Sequence, residues 1–550
     1  MPPDEPESSQ APGHTDPHAP AATDAQAAEP NGSAPLVDQA DAATPRRTAL
    51  LLVAAIGVLY LATSANFLAQ PSPHFHFTDM AASWLDGRLD SDTPRRRGGV
   101  PGRPDDRPGL QAAIDRATDN GRSGWNDWAS YRVLRLAGGE EVRGVFPYKD
   151  VPGPRQHEFW TVDGTAMVID PTRDLAKGCE TDRPTAPCDR IVYQVSFPPF
   201  PALLVLPFVA VIGYHTPDVL LTLLFALLGP LLLLRWLDRW RQEGLIQFAV
   251  AERLWMVALF SLGTVLWYCS IRGTVWFSAL AIGVPLHVGY LMAAQGARRP
   301  ALAGLLLGLG VATRTPLLFA AVFLPLEALF PDGRWLGGEG GRGLKRALAQ
   351  IAWFALPMAV IGGALAWFNE ARWQNPLEFG HFYLLEGTRA PTRDHGLFNF
   401  HFLNHNLGAA LTNLPKLVSV PPYFLVSRHG LGTLAATPAL LLLMACRFPH
   451  APTDAPVVTS DPLASRRRAL SRHLGLTVAA IAVPGLLYQN DGWQQFAYRF
   501  AVDLWPPLLG VLALHVGRVD RRVKALILIS IVIQLFGAIT FGRFEQFYYD

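Results

Sequence analysis

Long apolar runs without charge alternate with short basic stretches along most of the chain. No charged residue occurs from Thr48 to Asn66 or from Val219 to Leu234, and similar runs recur towards the C-terminus. Because a hydrocarbon core ~30 Å thick takes about 20 helical residues, these runs predict membrane-spanning helices. The predicted spans are 48–67, 217–236, 250–270, 273–295, 299–313, 315–330, 348–368, 431–446, 472–488, 501–516 and 524–541. Together, about eleven such spans predict an all-α, multi-pass membrane domain over residues 46–541.

Arginine-rich segments between the spans set the predicted orientation. They are RWLDRWRQEG, GARRP, PDGRWLGGEGGRGLKR, RFPHAP…SRRRALSRH and GRVDRRVK. Short basic loops stay in the cytoplasm, so we expect a cytoplasmic N-terminus and a C-terminal tail, 542–550, outside the cell membrane. On this topology the large loops 68–216 and 369–430 are also outside.

Two segments allow a second topology. Arg314 and Pro316 interrupt the apolar stretch 301–329, which is then either one kinked span or two short helices; two spans keep all the basic loops on one side. The apolar segment Phe197–His215 would invert every later loop if it crossed the membrane. We therefore predict that it is a juxtamembrane helix at the outer interface.

Composition narrows the class further. Of the 550 residues, 50% are hydrophobic and 17% charged, and the net charge of +2 is spread over loops, which argues against nucleic acid as a partner. Residues 1–45 are rich in Pro, Ala, Asp, Glu and Ser and predict a disordered cytoplasmic tail.

Two of the chain's four cysteines, Cys179 and Cys188, close a short hydrophilic stretch of the first outer loop. Thiols in an oxidising compartment are expected to pair, so we predict a disulfide. Two cysteines are too few for a structural zinc site.

The stretch HFHFTDMAASWLDGRLD follows the first span and mixes carboxylates with large apolar side chains. Thr78 can cap a short helix that Gly87 ends. Phe77, Met80 and Trp84 then share one face and Asp79 another, which predicts an amphipathic helix on the membrane surface with its carboxylates towards water. The alternative reading is that Asp79 only stabilises the first helical turn.

The order of these features resembles the GT-C superfamily of membrane glycosyltransferases. The resemblance rests on the Asp-bearing outer helix after the first span, a second outer helix opened by Pro198 and Pro199, and the segment YQNDGWQQFAYRFAVDLWPPLL. It implies sugar transfer from a polyprenyl-phosphate carrier to a glycan, lipid or protein acceptor outside the membrane. It also implies Asp79 as the catalytic base. Many members carry paired acids here, whereas this chain has a single one in TDM, so no metal ligand is assigned.

Two arginines are candidates to bind the carrier phosphate. Arg314 lies in a broken apolar segment, where an ionisable side chain normally lines a cavity or has a partner. Arg499 is the second candidate. Each arginine has an alternative role. Either side chain can extend to the lipid headgroups. Arg499 can also form an ion pair with Asp503, one turn later.

Aromatic residues complete the predicted substrate-binding set. Trp125 can stack on a sugar ring, although an outer-loop tryptophan also serves as a membrane anchor. His76 is the other candidate, with interfacial aromatic contact as its expected role. The spacing of His74 and His76 also allows a divalent metal with Asp79, and no cofactor is assigned beyond this alternative.

Two other functions fit a polytopic chain. A transporter or flippase of lipid-linked substrates would explain a buried arginine, and a non-catalytic assembly factor would explain the single acid. Transporters often carry internal repeats, which are not evident here. The long first outer loop also favours the enzyme.

Overall fold

The computed structural model describes residues 43–68, 72, 75–91, 128–149, 151–176, 188–335, 341–384, 390–445 and 461–549. The predicted disordered tail, 1–45, lies outside the described residues as far as residue 42 and stays a prediction.

Helices make up most of the described chain. In chain order they are α1 Arg46–Leu68, α2 His76–Leu85, α3 Phe200–Ile212, α4 Asp218–Ala226, α5 Leu228–Gln242, α6 Val250–Leu262, α7 Leu266–Ser270, α8 Val275–Ala294, α9 Pro300–Val311, α10 Phe323–Leu329, α11 Gly341–Trp373, α12 Ala390–His395, α13 Leu403–Leu407, α14 Thr433–Ala436, α15 Leu441–Ala445, α16 Pro462–Leu487, α17 Trp505–His515 and α18 Arg521–Thr540. Two 3₁₀ helices matter for the site, Thr315–Val322 and Arg499–Asp503.

Six helices in the described part of the chain are long and apolar enough to cross a membrane. They are Arg46–Ala65, Asp218–Gln242, Val275–Ala297, Gly343–Trp373, Pro462–Leu487 and Arg521–Thr540. This supports a helical, membrane-associated protein. The described residues thus hold fewer such helices than the eleven predicted spans, because the other apolar segments are short or broken.

Side chains from other segments satisfy the backbone where the predicted span 250–270 breaks. Helix α6 ends at Leu262, and the carbonyl of Gly263 accepts a hydrogen bond from Thr437 Oγ1 at 2.9 Å. Tyr60 donates likewise to the carbonyl of Ser261 at 2.8 Å. Irregular backbone at membrane depth is tolerated where other protein groups satisfy it, so an apolar run does not guarantee a continuous helix.

A β-sheet lies between α2 and α3, so the all-α prediction is also wrong. Its strands are β1 Trp128–Arg135, β2 Glu141–Val145, β3 Glu158–Thr161, β4 Ala166–Val168 and β5 Asp189–Val195. All pairs are antiparallel, in the order β4-β3-β2-β1-β5, with Tyr131 opposite Val192. Ala129, Tyr131 and Val133 alternate into one buried cluster, the period-two pattern of a strand, and Leu134 is buried in a second cluster.

A smaller sheet joins the chain's end to the second predicted outer loop. Strands β6 Lys416–Leu417 and β7 Phe424–Ser427 are antiparallel, and β8 Tyr548–Tyr549 pairs in parallel with β7. Part of the predicted C-terminal tail is therefore an ordered strand.

The two predicted outer loops, 68–216 and 369–430, pack on each other. Trp373, at the end of α11, stacks on Tyr383 with ring centroids 5.3 Å apart and meets Tyr131 of β1 at 5.9 Å. The largest buried cluster lies elsewhere, around α8, which is almost wholly enclosed by other helices. Helix α8 thus forms the centre against which the candidate site is built.

Candidate active site

Helix α2, which carries Asp79, is enclosed by protein. Its residues His76 to Ser83 are all buried, and the side chains of Phe77 and Ala81 share an apolar cluster with Ala202 of α3. The expectation of a helix on the membrane surface with water-facing carboxylates is therefore wrong for Asp79, which is 1% exposed. The apolar face of α2 packs against α3 and α8, and that packing takes the whole helix out of solvent.

Tyr214 is a side-chain partner of Asp79. It follows α3, and its hydroxyl donates a hydrogen bond to Asp79 Oδ1. The ring of Phe75 packs edge-on against Tyr214 at 5.3 Å and holds it in place. A carboxylate held in this way has a fixed orientation, which is a requirement for a general base.

An apolar cavity of about 250 Å³ adjoins the start of α2. Its walls come from α2, α3, α4 and α8, and include Phe75, Phe77, Thr78, Val205, Phe208 and Phe225. Thr78, which directly precedes Asp79, is one of these lining residues. The cavity has the chemistry of a site for a hydrocarbon chain.

Helix α3 also reaches the segment that carries Arg314. The backbone N–H of Phe200, the first residue of α3, donates to the carbonyl of Ala312 at 2.9 Å. Pro198 and Pro199 lead into this contact. The same helix therefore contacts the Asp79 helix along its side and the turn before Arg314 at its start.

Arg314 is paired. Its Nη2 donates to Asp503 Oδ2 at 2.7 Å, and its guanidinium carbon lies 5.4 Å from the ring centre of Phe500. Both charged side chains are largely enclosed, at 11% and 4% exposed. A small residue, Gly283 of α8, leaves room beside the stem of Arg314.

Arg499 does not form the ion pair with Asp503 that was one of its two alternatives. It is buried, and its Nη1 donates to the carbonyls of Gly492 and Trp493. The two residues lie in a 3₁₀ helix, which has three residues per turn, so positions four apart do not share a face. Asp503 is left for Arg314, and both guanidinium groups lie near Phe500.

The first turn of α8 separates the two groups of candidates. The ring of Trp276 lies 6.0 Å from that of His76, and the next residue, Phe277, lies 5.5 Å from the guanidinium of Arg499. His76 therefore makes an aromatic contact, as expected, but inside the protein.

A series of aromatic contacts leads from α2 to the segment after α16. Phe77 meets Phe197 at 6.2 Å, Phe197 meets His381 at 6.0 Å, and His381 meets Tyr488 at 6.4 Å. The structure thus brings parts of both large loops and the late segment YQNDGW to one side of the helices.

His405, His429 and Asp491 form a cluster that the sequence analysis missed. Asp491 Oδ2 lies 3.0 Å from His405 Nε2 and 2.5 Å from His429 Nδ1. Burial raises the pKa of Asp491, but the hydrogen bond and charge of His429 and His405 outweigh it, so this pKa lies below its ordinary value. No spacing in the sequence signals the cluster, because its members are far apart along the chain.

Three residues named in the predictions, Trp125, Cys179 and His74, lie outside the described ranges. Cys188 is disulfide-bonded, which agrees with the predicted bridge, while its pairing with Cys179 stays a prediction.

No family model, curated protein or solved structure matches this chain.

Proposed function

We propose that this chain is a GT-C-like membrane glycosyltransferase. It moves a sugar from a polyprenyl-phosphate carrier to a glycan, lipid or protein acceptor at the outer face of the cytoplasmic membrane. One observation carries the proposal: α3 packs along the helix of Asp79 and also contacts the turn before Arg314. A candidate base and a candidate phosphate-binding cation are thus attached to one structural element.

The reaction needs a base and charge neutralisation. An acceptor hydroxyl gives its proton to Asp79 as its oxygen bonds to the anomeric carbon. The bond between that carbon and the phosphate oxygen breaks, and polyprenyl phosphate leaves with the bonding electrons. Arg314 and Arg499 stabilise the charge that develops on the leaving phosphate.

The apolar cavity supports a lipid-linked donor. Phe75, Phe208 and Phe225 in its walls suit an isoprenoid chain, which gains about 0.8 kcal/mol for each buried CH₂ group. A soluble nucleotide sugar has no chain to place there. The start of the chain next to Thr78 would bring the phosphate end towards Asp79.

Tyr214 has a definite part in this mechanism. Its hydroxyl donates to Asp79 Oδ1 and so restrains the orientation of the carboxylate that accepts the proton. Tyr214 is a positioning residue, since it acts on the acceptor only through Asp79.

The test is release of polyprenyl phosphate by the purified protein in nanodiscs. The donors are radiolabelled polyprenyl-phosphate hexoses and pentoses, supplied with an acceptor extract of cell envelope. We expect release of the carrier together with transfer of label to the acceptor. Movement of intact donor between leaflets without release would instead establish a transporter, and absence of both donor binding and release would overturn the proposal.

A further inference from the structure

We propose that His405, His429 and Asp491 bind a divalent transition metal of the zinc class. One ligand atom from each residue lies within 4.8 Å of the others. His405 belongs to α13, His429 follows β7, and Asp491 follows α16. The proposal goes beyond the transferase and does not depend on it.

The carboxylate of Asp491 is turned so that one oxygen faces the histidines. Its Oδ1 accepts the backbone N–H of Trp493 at 3.0 Å, which leaves Oδ2 for His405 and His429. Asp491 is therefore set up as a monodentate ligand. Its side chain is 4% exposed, whereas that of His405 is 60% exposed. The cluster is therefore enclosed by protein at Asp491 and open to solvent at His405.

Gln495 ties two of the ligand residues together through their backbones. It is fully buried, and its Nε2 donates to the carbonyls of His429 and Asp491, each at 2.8 Å. Asn406, next to His405, donates to the carbonyls of Leu486 and Tyr488 at 3.0 and 2.6 Å. All three segments are thus fixed in place by hydrogen bonds that do not use the ligand atoms.

Two glycines permit this approach of the backbones. Gly430 follows His429 with φ +84°, and a Cβ there would lie 2.9 Å from the carbonyl carbon of Ala497. Gly492 follows Asp491 with φ +89°, and a Cβ there would lie 2.7 Å from Gln495 Oε1. Both conformations are costly for other residues, so the chain is shaped to bring His429 and Asp491 together.

The donor set selects the metal. Two imidazole nitrogens and one carboxylate oxygen suit Zn²⁺ and neighbouring first-row ions better than Mg²⁺ or Ca²⁺, which prefer oxygen ligands. Zinc bound at about 2.0 to 2.2 Å from each ligand needs ligand atoms roughly 3.3 Å apart. Asp491 Oδ2 lies 3.0 Å from His405 Nε2 and 2.5 Å from His429 Nδ1, and the two histidine nitrogens lie within 4.8 Å of each other. Three protein ligands leave the fourth position to water, on the exposed side of His405.

A metal here would cross-link the second predicted outer loop to the late segment. The carbonyl of Gly492, directly after Asp491, accepts a hydrogen bond from Arg499. Binding of the metal would therefore restrain the loop on which Arg499 depends.

The experiment measures metal content without reference to sugar transfer. The full chain, purified in detergent on a tag that contains no histidine, is dialysed against Zn²⁺ and assayed by elemental analysis. We expect about one equivalent per chain for the wild type. His405→Ala and Asp491→Asn should bind more than about 100-fold more weakly, because even outer-shell changes cost about 10- to 100-fold.

His401→Ala is the matched control, because His401 is an exposed histidine of the same loop that stacks on His395. It should keep full metal content. Titration of the unmodified protein with Co²⁺, followed through the visible bands of a tetrahedral site, covers the case in which a variant fails to fold. No stoichiometric metal in the wild type, or loss on His401→Ala with retention in Asp491→Asn, would overturn the proposal.

Discussion

The carboxyl group of Asp79 is a buried polar group that needs partners. Transfer of a charge out of water costs many kcal/mol unless hydrogen bonds replace the lost solvent. Tyr214 supplies one such bond. Burial also brings the carboxylate into a medium where its interactions are stronger than in water. Both effects favour a base that is oriented before the acceptor arrives.

At Arg314, stability and function can be separated by experiment. Arg314→Ala leaves Asp503 buried without its ion pair and should lower the free energy of unfolding by about 3 kcal/mol. It should also abolish sugar transfer. Arg314→Lys keeps the charge but not the planar fork of donors, so transfer should fall moderately. Thermal unfolding in detergent and the transfer assay measure the two effects.

A double variant serves as the control for this prediction. Arg314→Met combined with Asp503→Leu removes both charges and should recover most of the lost stability, since a buried ion pair often exchanges for apolar side chains at little cost. Transfer should stay abolished. If the double variant transfers sugar at the wild-type rate, Arg314 has only a structural role.

At the scale of the elements, length and hydropathy predicted the continuous helices well. The spans 48–67 and 273–295 correspond to α1 and α8 within a few residues. The predicted span 250–270 is broken after Leu262, where Thr437, a residue far along the chain, satisfies the carbonyl of Gly263. Such a partner is invisible to a local pattern.

The sheet, in contrast, has a local signal in the sequence, namely an alternation of side chains that was not used to predict it. Ala129, Tyr131 and Val133 alternate with the polar Ser130 and Arg132 in WASYRVLR, which is the period-two pattern of a strand.

Helices α9 and α11 approach each other closely through glycine. Gly304 and Gly308 form a small-xxx-small motif, and a Cβ at Gly304 would overlap the carbonyl oxygen of Phe354 in α11. Gly304→Ala should therefore destabilise the protein by about 1 to 3 kcal/mol through overpacking. The midpoint of thermal unfolding in detergent measures this.

Gly362 of α11 provides the comparison, because a Cβ there meets nothing within 4 Å. Gly362→Ala should leave the midpoint unchanged or raise it, as alanine favours the helix by about 0.5 to 1 kcal/mol. Equal effects of the two substitutions would show that the contact between α9 and α11 contributes little.

At the scale of the whole molecule, the candidate site is built from segments that are far apart in sequence. Asp79 was predicted from the resemblance and from a motif within one short helix, whereas its partner Tyr214 lies 135 residues away. The cluster of His405, His429 and Asp491 was not predicted. Asp491 lies 86 residues after His405 and 62 residues after His429 along the chain. Only the tertiary fold brings them together, so no single-sequence pattern could have found it.

The orientation in the membrane is a prediction for the whole molecule. We expect the end of α5, near Gln242, to be cytoplasmic and the sheet to be outside, because the loop after α5 is rich in arginine. Single engineered cysteines at Gln242 and at Ala166, which are both exposed, should report opposite sides in intact cells. Reaction of Gln242→Cys with a reagent that does not cross the membrane would contradict this topology, with Ala166→Cys as the positive control.

The most direct test of the central claim is the turnover of Asp79→Asn in nanodiscs with the polyprenyl-phosphate sugar donor. Asparagine is nearly isosteric, so folding and donor binding should persist while the rate falls about 10²- to 10⁴-fold with loss of the base. Asp86→Asn and Asp90→Asn, at more exposed positions, should turn over at close to the wild-type rate. Wild-type turnover by Asp79→Asn, with donor binding intact, would contradict the account.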